Sequence, residues 1–252
     1  MSGLTRRINY GNGHGYKLDG KKCKGVTTIL SDGTPKPALI AWAANGVARF
    51  AADNLDLLAS LEADARYDLL KGAHYRDRDK AAKRGTEVHG LAEQYIHGEE
   101  ITVPEELVGH VDSYIKFVNE WAVEPVHVEL VVGNRRHGYM GSLDLIATLA
   151  DGQTWLLDIK TTRSGIYPET ALQIAAYRHA EFYLDANNDE QPMPAVDACG
   201  AIWVRADGYD LIPLDCGLST FNTFLNVQRI ANFVKSETSP VGDALQPPRR
   251  AA

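Results

Sequence analysis

Cysteine is scarce in this chain: three residues among 252, at positions 23, 199 and 216. They form neither a CxxC motif nor a paired spacing, so all three read as free thiols in a reducing cytoplasm. A hydrophobic run near 18 residues is also missing, which removes any candidate transmembrane helix. No leader of basic, apolar and small residues is recognisable at the start, and a cytoplasmic location is the expectation. Internal repeats and low-complexity tracts are absent. Net positive charge is lacking too, since the formal charge is −7, so any hold on a polyanion has to be local.

The apolar content is enough for a core: 44% of the residues are hydrophobic, as expected of one domain or one with a modest appendage. The charge is unevenly spread. Residues 1–30 hold Arg6, Arg7, Lys17, Lys21, Lys22 and Lys24 against Asp19 alone. Residues 71–84 hold Lys71, Arg76, Arg78, Lys80, Lys83 and Arg84 against Asp77 and Asp79. Two basic surfaces therefore remain for phosphate contact, with a solvated charged face as the competing reading of each.

The chemistry concentrates between Gly141 and Tyr177. Leu143, Leu145, Ala147 and Leu149 alternate with Asp144, Ile146 and Thr148, the pattern of a half-buried strand. Trp155, Leu157 and Ile159 alternate in the same way with Asp158 and Lys160. Ala150, Asp151 and Gly152 join the two strands as a tight hairpin. A two-residue turn sets Asp144 opposite Ile159, whereas a three-residue loop with Gly152 in the left-handed position sets it opposite Asp158. The two Cβ atoms are then roughly 5 Å apart, with Lys160 two residues along on the same side. Carboxylates that close repel unless a cation lies between them. Hard oxygen ligands on strands suit Mg²⁺ or Mn²⁺, and an ammonium beside them can orient or deprotonate a water and neutralise charge growing on a phosphate. Pro168 opens the next helix, which carries Gln173 and Tyr177 one turn apart on one face.

A lone D-x-K tripeptide is common. The succession here is longer: G-x-x-D ending at Asp144, the hairpin, D-I-K from Asp158 to Lys160, then Q-I-A-A-Y from Gln173 to Tyr177. In order and spacing it resembles the PD-(D/E)XK nuclease superfamily, in its RecB-type and phage-exonuclease branch. Leu143 stands where the superfamily name has proline, as is common in that branch. The resemblance implies catalytic roles for Lys160, Asp144, Asp158, Gln173 and Tyr177, and metal ligation by Asp144, Asp158 and the backbone carbonyl of Ile159. Gly85 and His89 match the branch's first motif, G-x-x-x-H, whose His ligates metal. On periodicity alone, His89 lies at the edge of a helical stripe of Val88, Leu91, Ala92 and Tyr95, where a hydrogen-bonded core histidine is the plainer reading. Glu93, one turn on, is either a partner that fixes the His89 tautomer or an exposed acid. Glu129, on the polar face of a strand over Val126–Gly133, is carried over as a further ligand. The segment GHGYKLDGKKCKGVTTIL, with Lys36, Pro37 and Trp42 after it, resembles the start of phage proteins in the branch. Some relatives hold an iron–sulfur cluster on four Cys, which three scattered ones cannot build. The cofactors implied are one or two Mg²⁺ or Mn²⁺ ions and no iron–sulfur cluster.

Around this centre the sequence predicts a small N-terminal hairpin with β-prone pieces at Tyr16–Leu18 and Val26–Leu30. Helices follow from Pro37 to Leu70, broken near Gly46 and Asp53, then a helix over about Asp77–His97 and another over Glu105–Trp121. Beyond the catalytic hairpin come a helix ending near Leu184, a polar loop, strands at Ala198–Arg205 and Tyr209–Leu214, and a helix over Leu218–Val234. The fold class implied is α/β: a restriction-endonuclease-like core with a mixed central β-sheet flanked by helices, plus an N-terminal helical region. The corresponding divisions are 1–76 for the hairpin and helical region, 77–235 for the nuclease core, and 236–252 for a tail of disordered composition.

The function expected is metal-dependent exonucleolytic hydrolysis of DNA phosphodiester bonds, in phage recombination, repair or replication, and in the host cytoplasm if the chain is phage-encoded. A site-specific or structure-specific endonuclease is one alternative; a nucleic-acid-binding module that keeps the fold without the chemistry is another. DNA is the expected partner, held by Arg76, Lys83, Arg84, Arg135 and Arg136, and no membrane is expected. A homo-oligomer or a recombination partner protein stays open.

Overall fold

The computed structural model describes residues 4–11, 13–236 and 241–245, with the side chains of Ala38, Arg76 and Asp77 outside the described residues. Most of the tail expected over 236–252 falls outside them as well.

The chain begins with an antiparallel meander of β1 (Arg6–Tyr10), β2 (Gly13–Leu18) and β3 (Lys21–Gly25). The second β-prone piece is not a strand, because Val26–Gly33 forms helix α1. Its β-branched residues favour extended structure, but Val26, Ile29 and Leu30 also fit the i, i+3, i+4 face of a helix. Burial of that face decides the outcome: all three are buried in the core, and α1 packs on the C-terminal helix α7 (Leu218–Val234).

An arm of three helices follows: α2 (Pro37–Asp53), α3 (Leu55–Ala59) and α4 (Ala63–Ile96). The break expected at Asp53 is present, but the one at Gly46 is not. Gly46 faces His74 of α4, where a Cβ would meet that of His74 at an ordinary contact distance of 3.8 Å, and a single glycine does not end the helix. At 34 residues α4 merges what read as two helices, since no proline interrupts it and Gly72 costs only about 1 kcal/mol in a helix interior. It runs without a break across the expected division at 76/77.

The remainder is the α/β core: α5 (Val108–Glu120), β4 (Glu124–Asn134), β5 (Tyr139–Thr148), β6 (Thr154–Lys160), α6 (Pro168–Arg178), β7 (Phe182–Leu184), β8 (Glu190–Pro192), β9 (Ala198–Arg205) and β10 (Gly208–Pro213). The helix expected to end near Leu184 stops at Arg178, and Phe182–Leu184 instead pairs with β4; the polar loop contributes β8, which pairs with β7. The sheet is mixed. β3 runs parallel to β5, and β6 parallel to β9, while the other pairings are antiparallel. This is the restriction-endonuclease-like arrangement of a mixed central sheet flanked by helices.

The sheet forks at β5. One edge of β5 pairs along its length with β4. The other edge is shared, with β3 at Tyr139 and Met140 and β6 from Leu145 to Thr148. Gly141 to Asp144 lie in the gap between the two partners. The β5–β6 hairpin has the three-residue loop: Leu149 N–H bonds to Gln153 O at 3.1 Å, Gly152 has φ 77°, and Leu145 pairs with Leu157.

Both faces of this sheet are covered, so the hairpin strands are not half-exposed. Ile146 and Leu156 pack under α1, α6 and α7 with Ile174, Tyr177 and Phe224. Leu145, Ala147, Leu157 and Ile159 pack with Ala92 of α4 and Tyr114 and Phe117 of α5. Leu143 joins the first of these layers instead of following Leu145 into the second.

The cysteines depart from the expectation of three free thiols. Cys199 and Cys216 form a disulfide across the β9–β10 hairpin, 17 residues apart in sequence, and only Cys23 is free. The pairing comes from the hairpin register, which sets Gly200 against Pro213, and no local spacing announces it. The cysteines therefore no longer argue for a reducing compartment. No helix among the described residues is long and apolar enough to cross a membrane.

Candidate active site

Four elements converge at the fork in the sheet. β5 supplies Asp144, β6 supplies Asp158, Ile159 and Lys160, β4 supplies Glu129, and α4 supplies His89. The β5–β6 ladder ends at the Leu145–Leu157 pair, and Asp144 and Asp158 are the next residues of the two strands. Asp144 Oδ2 accepts a 2.7 Å hydrogen bond from the Ile159 N–H, so the carboxylate itself closes the end of the ladder.

His89 reaches the same spot from the other side. Its Nε2 lies 2.8 Å from the Ile159 carbonyl oxygen and its Nδ1 3.4 Å from Asp144 Oδ2. These two groups fix the ring, and Glu93 is an exposed wall residue with no bond to it. Burial alone would lower the pKa of His89, but the Asp144 carboxylate outweighs it and raises it to about 9. Asp144, which burial alone would raise, is held low by His89, Lys160 and the Ile159 N–H.

Glu129 completes a cluster. Ligand atoms of His89, Glu129 and Asp144 all lie within 4.8 Å of one another. Glu129 has φ 51°, a left-handed backbone uncommon for any residue with a side chain. Burial, then the charges of Asp144 and Glu93, push its carboxyl up to about 7. A void of about 10 Å³ borders all three side chains, room for one water-sized sphere. With Asp158 behind them, the site carries more carboxylates than cations, the condition under which a bound divalent ion offsets their repulsion. The donor set of imidazole, carboxylates and backbone carbonyl suits such an ion.

Asp158 is buried and bonded on its own side. Its Oδ1 accepts from Gln173 Nε2 at 2.7 Å, and its Oδ2 makes an ion pair with Lys160 Nζ. Burial pushes the Asp158 carboxyl up, and Asp144 adds to the effect against the pull of Lys160. Lys160 is the converse: burial alone would lower it, but Asp158 and Asp144 raise it and keep it an ammonium. Lys160 Nζ also donates to Gln173 Oε1 at 3.3 Å, and Gln173 Nε2 reaches Tyr177 Oη at 3.3 Å. Helix α6, opened by Pro168, thus delivers both residues as the spacing predicted. The Tyr177 ring also explains Gly141, where a Cβ would sit 2.5 Å from Tyr177 Cε1. For Gly85 no such reason exists, since a Cβ there meets only Thr161 Oγ1 at 3.6 Å.

The predicted phosphate contacts are less gathered. Lys83 is exposed and pairs with Glu87 at 3.5 Å. Arg84 is half-buried, with a buried Nε that has no partner. Arg76 has its side chain outside the described residues. Arg135 is clasped by Asp19 and Glu190 at 2.7 to 2.9 Å and borders no part of the cleft. The Arg136 N–H binds Glu181 at 3.3 Å.

Sequence reasoning missed the wall opposite α4. The cleft, about 810 Å³, is bordered by the N-terminal meander as well as by the motif residues. Arg7 donates to Ser142 Oγ at 3.3 Å and lies 3.5 Å from His14 Nδ1, and Tyr16 Oη lies 3.1 Å from the same serine oxygen. The signal was present in part: Arg7 belongs to the basic N-terminal cluster, and Ser142 lies within the G-x-x-D motif.

No family model matches the chain, and no curated protein matches it in sequence. Among solved structures, it is similar to the crystal structure of SSO0001, at 13% identity and a TM-score of 0.31 over 63% of this chain and 72% of that one. It is also similar to an alkaline exonuclease (LHK-Exo) from Laribacter hongkongensis, at 18% identity and a TM-score of 0.29 over 62% of this chain and 85% of that one. Scores this low carry no argument about function.

Proposed function

We propose that the chain is a divalent-metal-dependent deoxyribonuclease of the PD-(D/E)XK type that hydrolyses phosphodiester bonds exonucleolytically in phage recombination, repair or replication. The observation that carries this reading is the convergence of His89, Glu129, Asp144 and the Ile159 carbonyl within a few ångströms of the Asp158–Lys160 pair, at the floor of an open cleft.

His89, Glu129, Asp144 and the Ile159 carbonyl would hold Mg²⁺ or Mn²⁺, with Asp158 beside them as a further carboxylate. His89 gives up a proton on ligation. The bound ion supplies charge stabilisation to the entering and leaving phosphate oxygens. Lys160 stays protonated beside Asp158, so its role is to donate to the attacking water or to a phosphate oxygen and so orient it. Gln173 links Asp158, Lys160 and Tyr177 and holds the ammonium at one place. Arg7, Ser142 and His14 line the approach.

The test is electrophoresis of end-labelled linear DNA and closed circular DNA with Mg²⁺, Mn²⁺ or EDTA. Linear strands shorten with either ion and remain whole in EDTA. Cutting of closed circles would transfer the reading to an endonuclease, and cleavage in excess EDTA would remove the metal from it.

A further inference from the structure

Helix α4 extends well beyond the cleft it helps to build. At about 100° per residue, Tyr67, Lys71, Tyr75, Arg78, Gly85 and His89 fall within about 80° of one another, on one stripe. His89 lies on the cleft floor and Gly85 borders the cleft, so the residues toward the N-terminus continue the same face outward. From Tyr67 to His89 the stripe runs about 33 Å at 1.5 Å per residue.

Its outer half alternates aromatic and cationic side chains. Lys71 Nζ lies 5.6 Å from the Tyr67 ring centroid, and Arg78 Cζ lies 4.7 Å from that of Tyr75. Both rings are exposed, Tyr67 at 63% and Tyr75 at 43%. Arg78 also touches Asp79 at 2.8 Å, but an ion pair this exposed contributes little and yields to a phosphate. Lys83 falls on a different face by the same phase count.

We infer that this stripe of α4 is a track for single-stranded nucleic acid, with unpaired bases stacking on Tyr67 and Tyr75 and backbone phosphates beside Lys71 and Arg78, leading to the cleft. Exposed rings interleaved with cations are what an unpaired strand uses, because every base has a face to stack. A duplex keeps its bases stacked on each other and can use only the cations. The inference rests on the nuclease reading only for what lies at the inner end of the track.

The test uses the full chain in EDTA and fluorescence anisotropy with labelled oligothymidylate, oligouridylate and a DNA duplex of equal length. Replacing Tyr67→Ala together with Tyr75→Ala should weaken binding of at least one single strand about tenfold or more and leave the duplex nearly unchanged. Tyr67→Trp with Tyr75→Trp should retain it. Lys71→Ala with Arg78→Ala should flatten the plot of log affinity against log salt for the single strand by about 0.7 per cation. Unchanged single-strand binding in the alanine pair, or an equal loss for the duplex, overturns the track. Cleavage of a small nitrophenyl phosphodiester with Mn²⁺, too short to reach Tyr75, separates the two ideas. Track-dependent binding without any hydrolysis by the wild type leaves the track and removes the nuclease; hydrolysis with wild-type binding by the tyrosine variants does the reverse.

Discussion

The two ends of α4 sit in different surroundings. In its last turns Val88 is buried and Ala92 packs against the sheet and α5, while His89 bonds to the Ile159 carbonyl and approaches Asp144. Its first half lies beside α2, a 17-residue apolar helix none of whose described residues is buried. Leu39, Ile40, Leu55 and Tyr67 of this arm are exposed by about half or more. On the proposed reading, the groups that would hold an ion stand on the well-packed part, and the groups that would meet a flexible polymer stand on the sparsely packed part.

The largest effect that would sharpen this contrast is on turnover. Asp158→Ala or Lys160→Ala should lower cleavage by about a thousandfold or more, in line with removing a group that stabilises transition-state charge, while DNA affinity in EDTA changes little. Calorimetry should find that Lys160→Ala still binds Mn²⁺; equal loss of the ion in both variants would break the division of roles between them.

Stability should divide along the same line. Phe117 is fully buried between α5 and the sheet, and Phe117→Ala should cost about 3–5 kcal/mol in urea unfolding. Ile40 is 74% exposed, and Ile40→Ala should stay within about 0.5 kcal/mol. A large loss at Ile40 would mean that the arm is packed against something in solution, and the contrast would fall.

A smaller effect concerns the free thiol. Burial pushes Cys23 up to about 11, and only the thiolate alkylates. Iodoacetamide labelling at pH 8 should be slow in the folded chain, speed up as pH rises towards 11, and become fast in urea. Rapid labelling at pH 8 without urea would show that the N-terminal meander opens readily.

Much of the site was legible because its signals are local. The three-residue register was one of the two that the turn residues allowed, the one with Gly152 left-handed; the faces of β6 followed from strict alternation, and the Gln173–Tyr177 pair from helical spacing after Pro168. What the sequence hid depends on distant chain. Val26 to Gly33 has strand-like residues and becomes a helix only because α7 covers it. Phe182 to Leu184 is too short to signal a strand without β4 beside it. The Cys199–Cys216 pair needs the β9–β10 register, and the contact of Arg7 with Ser142 spans 135 residues.

Glu129 places one conflict at a single backbone angle. Its left-handed φ would be relaxed by glycine, which adopts that region freely, and losing a carboxyl crowded by Asp144 would ease repulsion as well. Glu129→Gly should therefore raise the melting temperature even as it weakens metal binding. A population of variants selected for heat resistance alone would drift to glycine at this position, and one selected for turnover would hold the acid. Position 129 is thus where an observer could read, from sequence drift alone, which of the two pressures a lineage has been under.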